Sequence, residues 1–194
     1  MKIGDIMLDT CYWQRLLRFG GYAPGEIDGV HGPCTRAAEA RWSNDAACAA
    51  QEFGRFDTRS EAVLATLLPA TQRVARQWLR MAVPKAQVAG VEVRLICGTR
   101  SYAEQDALYR QRPRVTHAKG GQSMHNFGLA FDFGVFCGRE YLEKSLLYMS
   151  LGRLSMQLPQ VTWGGTWKSL IDPAHIQLNL YPNTAAARRV FESQ

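Results

Sequence analysis

The stretch GLAFDFGVF, residues 128–136, limits this chain more than any other. It is apolar on both alternating sets of positions and too short for a typical helix, so it reads as a buried strand. Asp132 is the one ionisable side chain in it. An ionised carboxylate with no partner in such a strand costs several kcal/mol or more. The fold therefore has to bring Asp132 a cation, a set of backbone donors, or a metal shared with His125, seven residues earlier.

The neighbouring segments supply the rest of an α+β pattern. ATQRVARQWLRMA is an amphipathic helix, and GVEVRLICG is a half-buried strand with Val91, Val93, Leu95 and Cys97 on one face. Ser101 with Glu104 forms a capping box that opens a helix over YAEQDALYRQ. Arg100 thus lies at a strand-to-helix corner, where a side chain has rigid support and a free tip. HAKGGQS and WGGTWKSLIDPA read as loops and HIQLNLY as a further strand. Pro173 opposes any continuous helix through Asp172 and His175. A small antiparallel sheet flanked by helices is expected.

Before Pro69 the pattern is helical only. CYWQRLLRFGGY places Trp13, Leu16 and Leu17 at helical spacing and closes on Gly20 and Gly21. A turn-rich loop, APGEIDGVHGP, follows, and Thr35 is positioned to cap a second helix, RAAEARW. After a polar stretch, RSEAVLATLL gives a third. The expected organisation is a three-helix module over 1–69 and a mixed domain over 70–194.

Charge follows the same division. The net +6 combines 7 Lys/Arg against 9 Asp/Glu in 1–69 with 16 against 8 in 70–194. The basic part would attract an anionic polymer. Its Lys and Arg are scattered and form no nucleic-acid motif, so nucleic acid is not the expected partner. No run has the roughly 18 apolar residues of a membrane helix. MKIGDIMLDT lacks an apolar core of signal-peptide length, so synthesis in the cytoplasm without a signal peptide is expected. Five widely spaced cysteines with no C-x-x-C pair argue against a disulfide framework or a cysteine metal site. Cys97, in VRLIC, reads as a small core residue.

His125, Asp132 and His175 offer two imidazole nitrogens and a carboxylate oxygen, the three protein ligands typical of a catalytic zinc with a fourth position open. Asp172, three residues before His175, is a second carboxylate within reach of that position and suits a general base. Spacing alone leaves ordinary alternatives. Asp132 can pair with an arginine, His125 can be a hydrogen-bonded loop histidine, and Asp172 a turn residue before Pro173.

Together, GTRSYAEQDALY, VTHAKGGQSMHNFGLAFDFG and WGGTWKSLIDPAHIQ resemble the M15 metallopeptidases in their S-x-H-x6-D, W-G-G-x-W-K-S and D-x2-H blocks. The likeness covers about 70–181 and is strongest to the L-alanyl-D-glutamate endopeptidase branch of phage endolysins and bacterial wall enzymes. It implies a hedgehog-like, D-Ala-D-Ala-peptidase-like fold. It implies Zn2+ held by His125, Asp132 and His175, with Asp172 as acid/base and Arg100 binding substrate charge. Ser123 and Gln105 are further substrate-site candidates. Thr166, Ile176 and His117 stand where relatives often carry aspartate, an aromatic and asparagine. LLRFGGY and GEIDGVHGPCTRAAEARW likewise resemble a peptidoglycan-binding three-helix module, with His31 in place of the usual aromatic. The implied protein is a monomeric endolysin-like peptidase of peptidoglycan, without membrane insertion, reaching the wall by holin release or secretion. A D-Ala-D-Ala carboxypeptidase and a non-catalytic wall binder with structural zinc are the alternatives.

Overall fold

The computed structural model of the chain describes residues 9–113 and 115–193. The first eight residues, on which the reading of export rests, lie outside the described residues. Asp9 caps α1 (Thr10–Phe19) by accepting from Tyr12 N. The second helix, α2, runs over Pro33–Phe53 and starts from Gly32 with Pro33 in its first turn. Thr35 is therefore inside the helix rather than its cap. Its buried hydroxyl donates to Pro24 O at 3.1 Å and receives Gln14 Nε2 at 3.2 Å, tying the preceding loop to α1 and α2. The polar stretch after Trp42 continues this helix.

Asp57 caps α3 (Thr58–Leu64), and α4 follows over Pro69–Val88. Ala75, Trp78, Leu79, Ala82 and Ala86 make one buried stripe along α4 at helical spacing. The sheet contains β1 (Glu92–Cys97), β2 (Ala130–Cys137), β3 (Glu140–Tyr141), β4 (Val161–Trp163) and β5 (His175–Leu178). All its pairings are antiparallel, in the order β1-β2-β5-β4, with β3 beside β2. The helix α5 (Tyr102–Arg110) opens with the Ser101–Glu104 capping box. Two helices with no clear sequence signature, α6 (Leu147–Gly152) and α7 (Thr184–Glu192), complete the chain.

Two apolar clusters hold these pieces. One packs α4 and α6 against Leu95, Phe131, Phe133, Val135, Ile176 and Leu178 of the sheet. The other joins α1 and α2 to Leu68, Phe127, Leu129 and α7. The N-terminal helices thus share a core with residues beyond Pro69. Tyr12 extends the connection: its hydroxyl donates to Asn126 O and lies 3.2 Å from Arg100 O.

The register of β1 on β2 corrects one expectation. Leu95 pairs with Phe133, but Cys97 pairs with Asp132, so β1 carries an irregularity between Leu95 and Cys97. Regular pairing would set Cys97 opposite Phe131. The extra residue moves Cys97 off the face of Val93 and Leu95, as a bulge does. Cys97 is accordingly a half-buried neighbour of Asp132 rather than a core residue. All five cysteines are free, and no helix among the described residues is long and apolar enough to cross a membrane.

Candidate metal centre

Strands β2 and β5 pair Asp132 directly with His175, so both side chains leave the sheet on one face. His125 comes from the 3₁₀ turn Met124–Phe127 that leads into β2. The Ser123 hydroxyl caps this turn and accepts from His125 N at 3.4 Å, while Arg100 N donates to His125 O at 3.1 Å. The S-x-H spacing is therefore a cap and the residue it fixes. Gly128 ends the turn at φ +66°, a left-handed conformation that L side chains rarely adopt.

His125 Nε2 lies 3.1 Å from Asp132 Oδ1 and 3.1 Å from His175 Nδ1, and His175 Nδ1 lies 3.2 Å from Asp132 Oδ1. The outer ring nitrogens have acceptors of their own. His125 Nδ1 donates to Gly98 O at 2.7 Å, and His175 Nε2 to Gln177 Oε1 at 3.1 Å. With protons on the outer nitrogens, the neutral rings turn two lone pairs toward each other and toward a carboxylate oxygen. Three acceptors in such contact need a positive charge among them. Donors on one tetrahedral ion at about 2.0–2.1 Å lie about 3.3–3.4 Å apart. The triangle has nearly that size, so the donor set fits a divalent cation.

The electrostatics agree. Burial pushes the His125 imidazole down to about 4, leaving it neutral. Burial works against the Asp132 charge, but His125 and His175 outweigh it and hold the carboxyl well below the usual range. Burial also opposes charge on His175, yet its hydrogen bond to Asp132 and that carboxylate's charge raise it. Without a cation, the cluster favours a compensating proton on His175, which a metal ion would displace.

Asp172 adds a second acid. Asp132, Asp172 and His175 each present a ligating atom within 4.8 Å of the others. Burial first, and then the charge of Asp132, raise the Asp172 carboxyl above its ordinary value. Asp172 N donates to Gly164 O at 3.1 Å, and His175 N donates to Asp172 O at 3.2 Å. A Cβ on Gly164 would stand 2.4 Å from Asp172 O, which explains a glycine in W-G-G-x-W. Trp167 of the same block packs at a tilt against His175, ring centroids 5.0 Å apart.

The other candidates separate. Arg100 Nη2 lies 4.0 Å from Asp132 Oδ2, and its buried Nε has no hydrogen-bond partner among the described residues. Gln105 is fully buried, and its amide donates to Ala118 O at 2.9 Å, bracing the loop before the centre. Ile176 is fully buried opposite Phe131, on the other face from His175. Thr166 donates to Trp163 O at 2.8 Å, and His117 is exposed. Sequence reasoning overlooked Gln177 behind His175, although the H-x-Q alternation along a strand signals it. It also overlooked Cys97 beside the centre. The thiol is neutral there, pushed up to about 12 by burial and by Asp132.

Residues 116–178 match a peptidase M15 family model described as D-alanyl-D-alanine carboxypeptidase. Over this segment the chain is similar to the M15 peptidases. Members are metallopeptidases, and the matched segment contains all three converging donors together with Asp172. The chain is 34% identical over 111 residues to the peptidoglycan L-alanyl-D-glutamate endopeptidase CwlK of Bacillus subtilis. That match covers 46% of this chain and 62% of CwlK, so it spans less than two thirds of the curated relative. The fold is similar to that of the L-Ala D-Glu endopeptidase ChiX of Serratia marcescens, at 28% identity and a TM-score of 0.50. The similarity covers 64% of this chain and 90% of ChiX.

Proposed function

We propose that the chain is a zinc-dependent peptidoglycan peptidase that cuts the L-Ala–D-Glu bond of the stem peptide. The observation that carries this reading is the convergence of His125 Nε2, His175 Nδ1 and Asp132 Oδ1, with the buried Asp172 beside them. Two imidazoles and one carboxylate with a position left open suit zinc in a hydrolase. CwlK and ChiX, both named as L-Ala–D-Glu endopeptidases, support the bond.

Bound zinc supplies a Lewis acid that acidifies water and polarises a carbonyl. Asp172 takes the proton of the attacking water on its carboxylate and passes it to the leaving amine. Its raised pKa suits both steps, because a base and acid in turn works best near the operating pH. Arg100, held on the corner between β1 and α5, offers guanidinium N–H groups to the charge that develops on the carbonyl oxygen. The stem peptide is rich in carboxylates, and the basic 70–194 part is complementary to it. The three N-terminal helices would add wall affinity to a monomeric, endolysin-like enzyme that reaches the wall by holin release or secretion.

A second reading, removal of the terminal D-Ala, is favoured by the description of the matching family model. Digestion of purified peptidoglycan followed by mass spectrometry separates the two. Fragments with a new D-Glu amino terminus support the first reading. Release of free D-Ala alone would replace it with the second.

A further inference from the structure

We propose that Cys97 is a sulfur donor to the same cation pocket, able to fill the position that hydrolysis needs open. The inference rests on reading the pocket as a metal centre, and it adds a fourth side chain to it. The bulge in β1 carries the argument. It sets Cys97 opposite Asp132 instead of Phe131, and directly opposed residues of an antiparallel pair project from the same face. The sulfur, a His125 ring nitrogen and an Asp132 oxygen all lie within 4.8 Å of one another. The set is half-buried to buried, so the thiol borders the pocket rather than open solvent.

Sulfur and nitrogen donors on one tetrahedral ion lie about 3.6 Å apart, given about 2.3 Å to sulfur and about 2.1 Å to nitrogen. The sulfur lies within 4.8 Å of both donors, and rotation about the Cys χ1 is the movement that would bring it to that spacing. On ligation the S–H proton leaves to solvent and the thiolate pair forms the bond to the ion, as a coordinating thiol ordinarily does. His125, His175, Asp132 and Cys97 would then form a closed set of four, the form typical of structural rather than catalytic sites. Thiolate also favours soft ions such as Cd2+ over hard ones. The consequence is a resting centre that substrate has to open, with a preference for thiophilic metals.

Cobalt(II) added to the full-length protein tests this, because thiolate ligation gives a sulfur-to-cobalt charge-transfer band in the near ultraviolet. The wild type should bind one Co2+ and display the band. Cys97→Ser and Cys97→Ala should still bind one Co2+ and lose it, and should hold Cd2+ more weakly than the wild type does. Stoichiometric binding by the wild type without the band would overturn the role of Cys97 and leave the metal centre standing. Failure of the wild type to bind Co2+, or equal binding by a His125→Ala/His175→Ala variant, would remove the centre and this proposal with it.

Discussion

The two faces of β2 follow opposite rules. On one, Phe131, Phe133 and Val135 are fully buried, and the Phe133 ring lies 4.6 Å from Trp78 of α4, centroid to centroid. These residues do one job three times, so each loss is a matter of area and volume. On the other, Asp132 sits among His125, His175 and Cys97, and each of these groups makes sense only through the rest. The packed face supplies the stability that lets the polar face hold mutually repelling groups. The first should respond to mutation in kcal/mol of folding, the second in metal binding and rate.

The sharpest break falls on the polar side. Asp172→Asn should keep fold and metal and lose about 10²–10⁴-fold in rate, the usual value of a general base. Metal content, circular dichroism and stem-peptide hydrolysis would check it, and wild-type turnover would end the proposed role. Burial and Asp132 raise this carboxyl, so the base stays protonated to higher pH than an ordinary aspartate. Activity should accordingly rise with pH through that elevated value. A carboxyl raised in the fold binds its proton more tightly there than in the unfolded chain. Its contribution to stability therefore falls as pH rises, a loss that Asp172→Asn removes.

The packed face should answer in the opposite way. Phe133→Ala leaves a cavity beside Trp78 and should cost about 3–5 kcal/mol of folding stability. Below its lowered melting point the variant should still bind one metal ion, because its neighbour Asp132 points away from the cavity. Urea titration and metal analysis on the same sample would check this. Loss of metal from the folded variant would mean that the two faces are not separable.

Behind the centre the expected effect is smaller. Gln177 accepts from His175 Nε2 and donates to Asn179 Oδ1 at 3.2 Å, and Asn179 donates to Thr162 Oγ1 at 2.8 Å. This chain fixes which amide atom faces the histidine, and so which ring nitrogen would face a metal ion. Gln177→Leu should weaken metal affinity about 10–100-fold. A chelator competition would measure it, and unchanged affinity would show that the pairing of β2 with β5 alone orients the ring.

What the sequence disclosed follows the same contrast. Hydrophobic period announces the packed face, which is why β1, β2, β5, α1 and α4 stand where their patterns place them. Local chemistry announces caps, as at Ser101, and breaks in helix, as at Asp172-Pro173. Position opposite a partner strand is announced by neither. Cys97 alternates faultlessly with Val93 and Leu95 along its own strand, and only the pairing with β2 turns it to the other face. The continuation of α2 through SNDAA was equally hidden, because polar residues on a solvent face look like a loop. Tyr12 escaped notice for a third reason: its partner, Asn126, is 114 residues away.

That contact gives the smallest and most specific prediction. Tyr12 joins α1, part of the expected wall-binding module, to the turn that carries His125. Its hydroxyl donates to Asn126 O, and its ring packs edge-on against Tyr102 at 5.8 Å and at a tilt against Phe191 at 5.2 Å. Tyr12→Phe keeps the rings packed and removes one hydrogen bond, which should cost about 1 kcal/mol. The metal donors are untouched, so metal stoichiometry should hold. The turn loses a support on its carbonyl side, so amide exchange at 124–127 should quicken while exchange in β2 stays slow. Hydrogen exchange with mass readout resolves the two segments. If the turn exchanges at the wild-type rate, α1 packs against the metal domain without bracing its centre, and the N-terminal helices contribute core area alone.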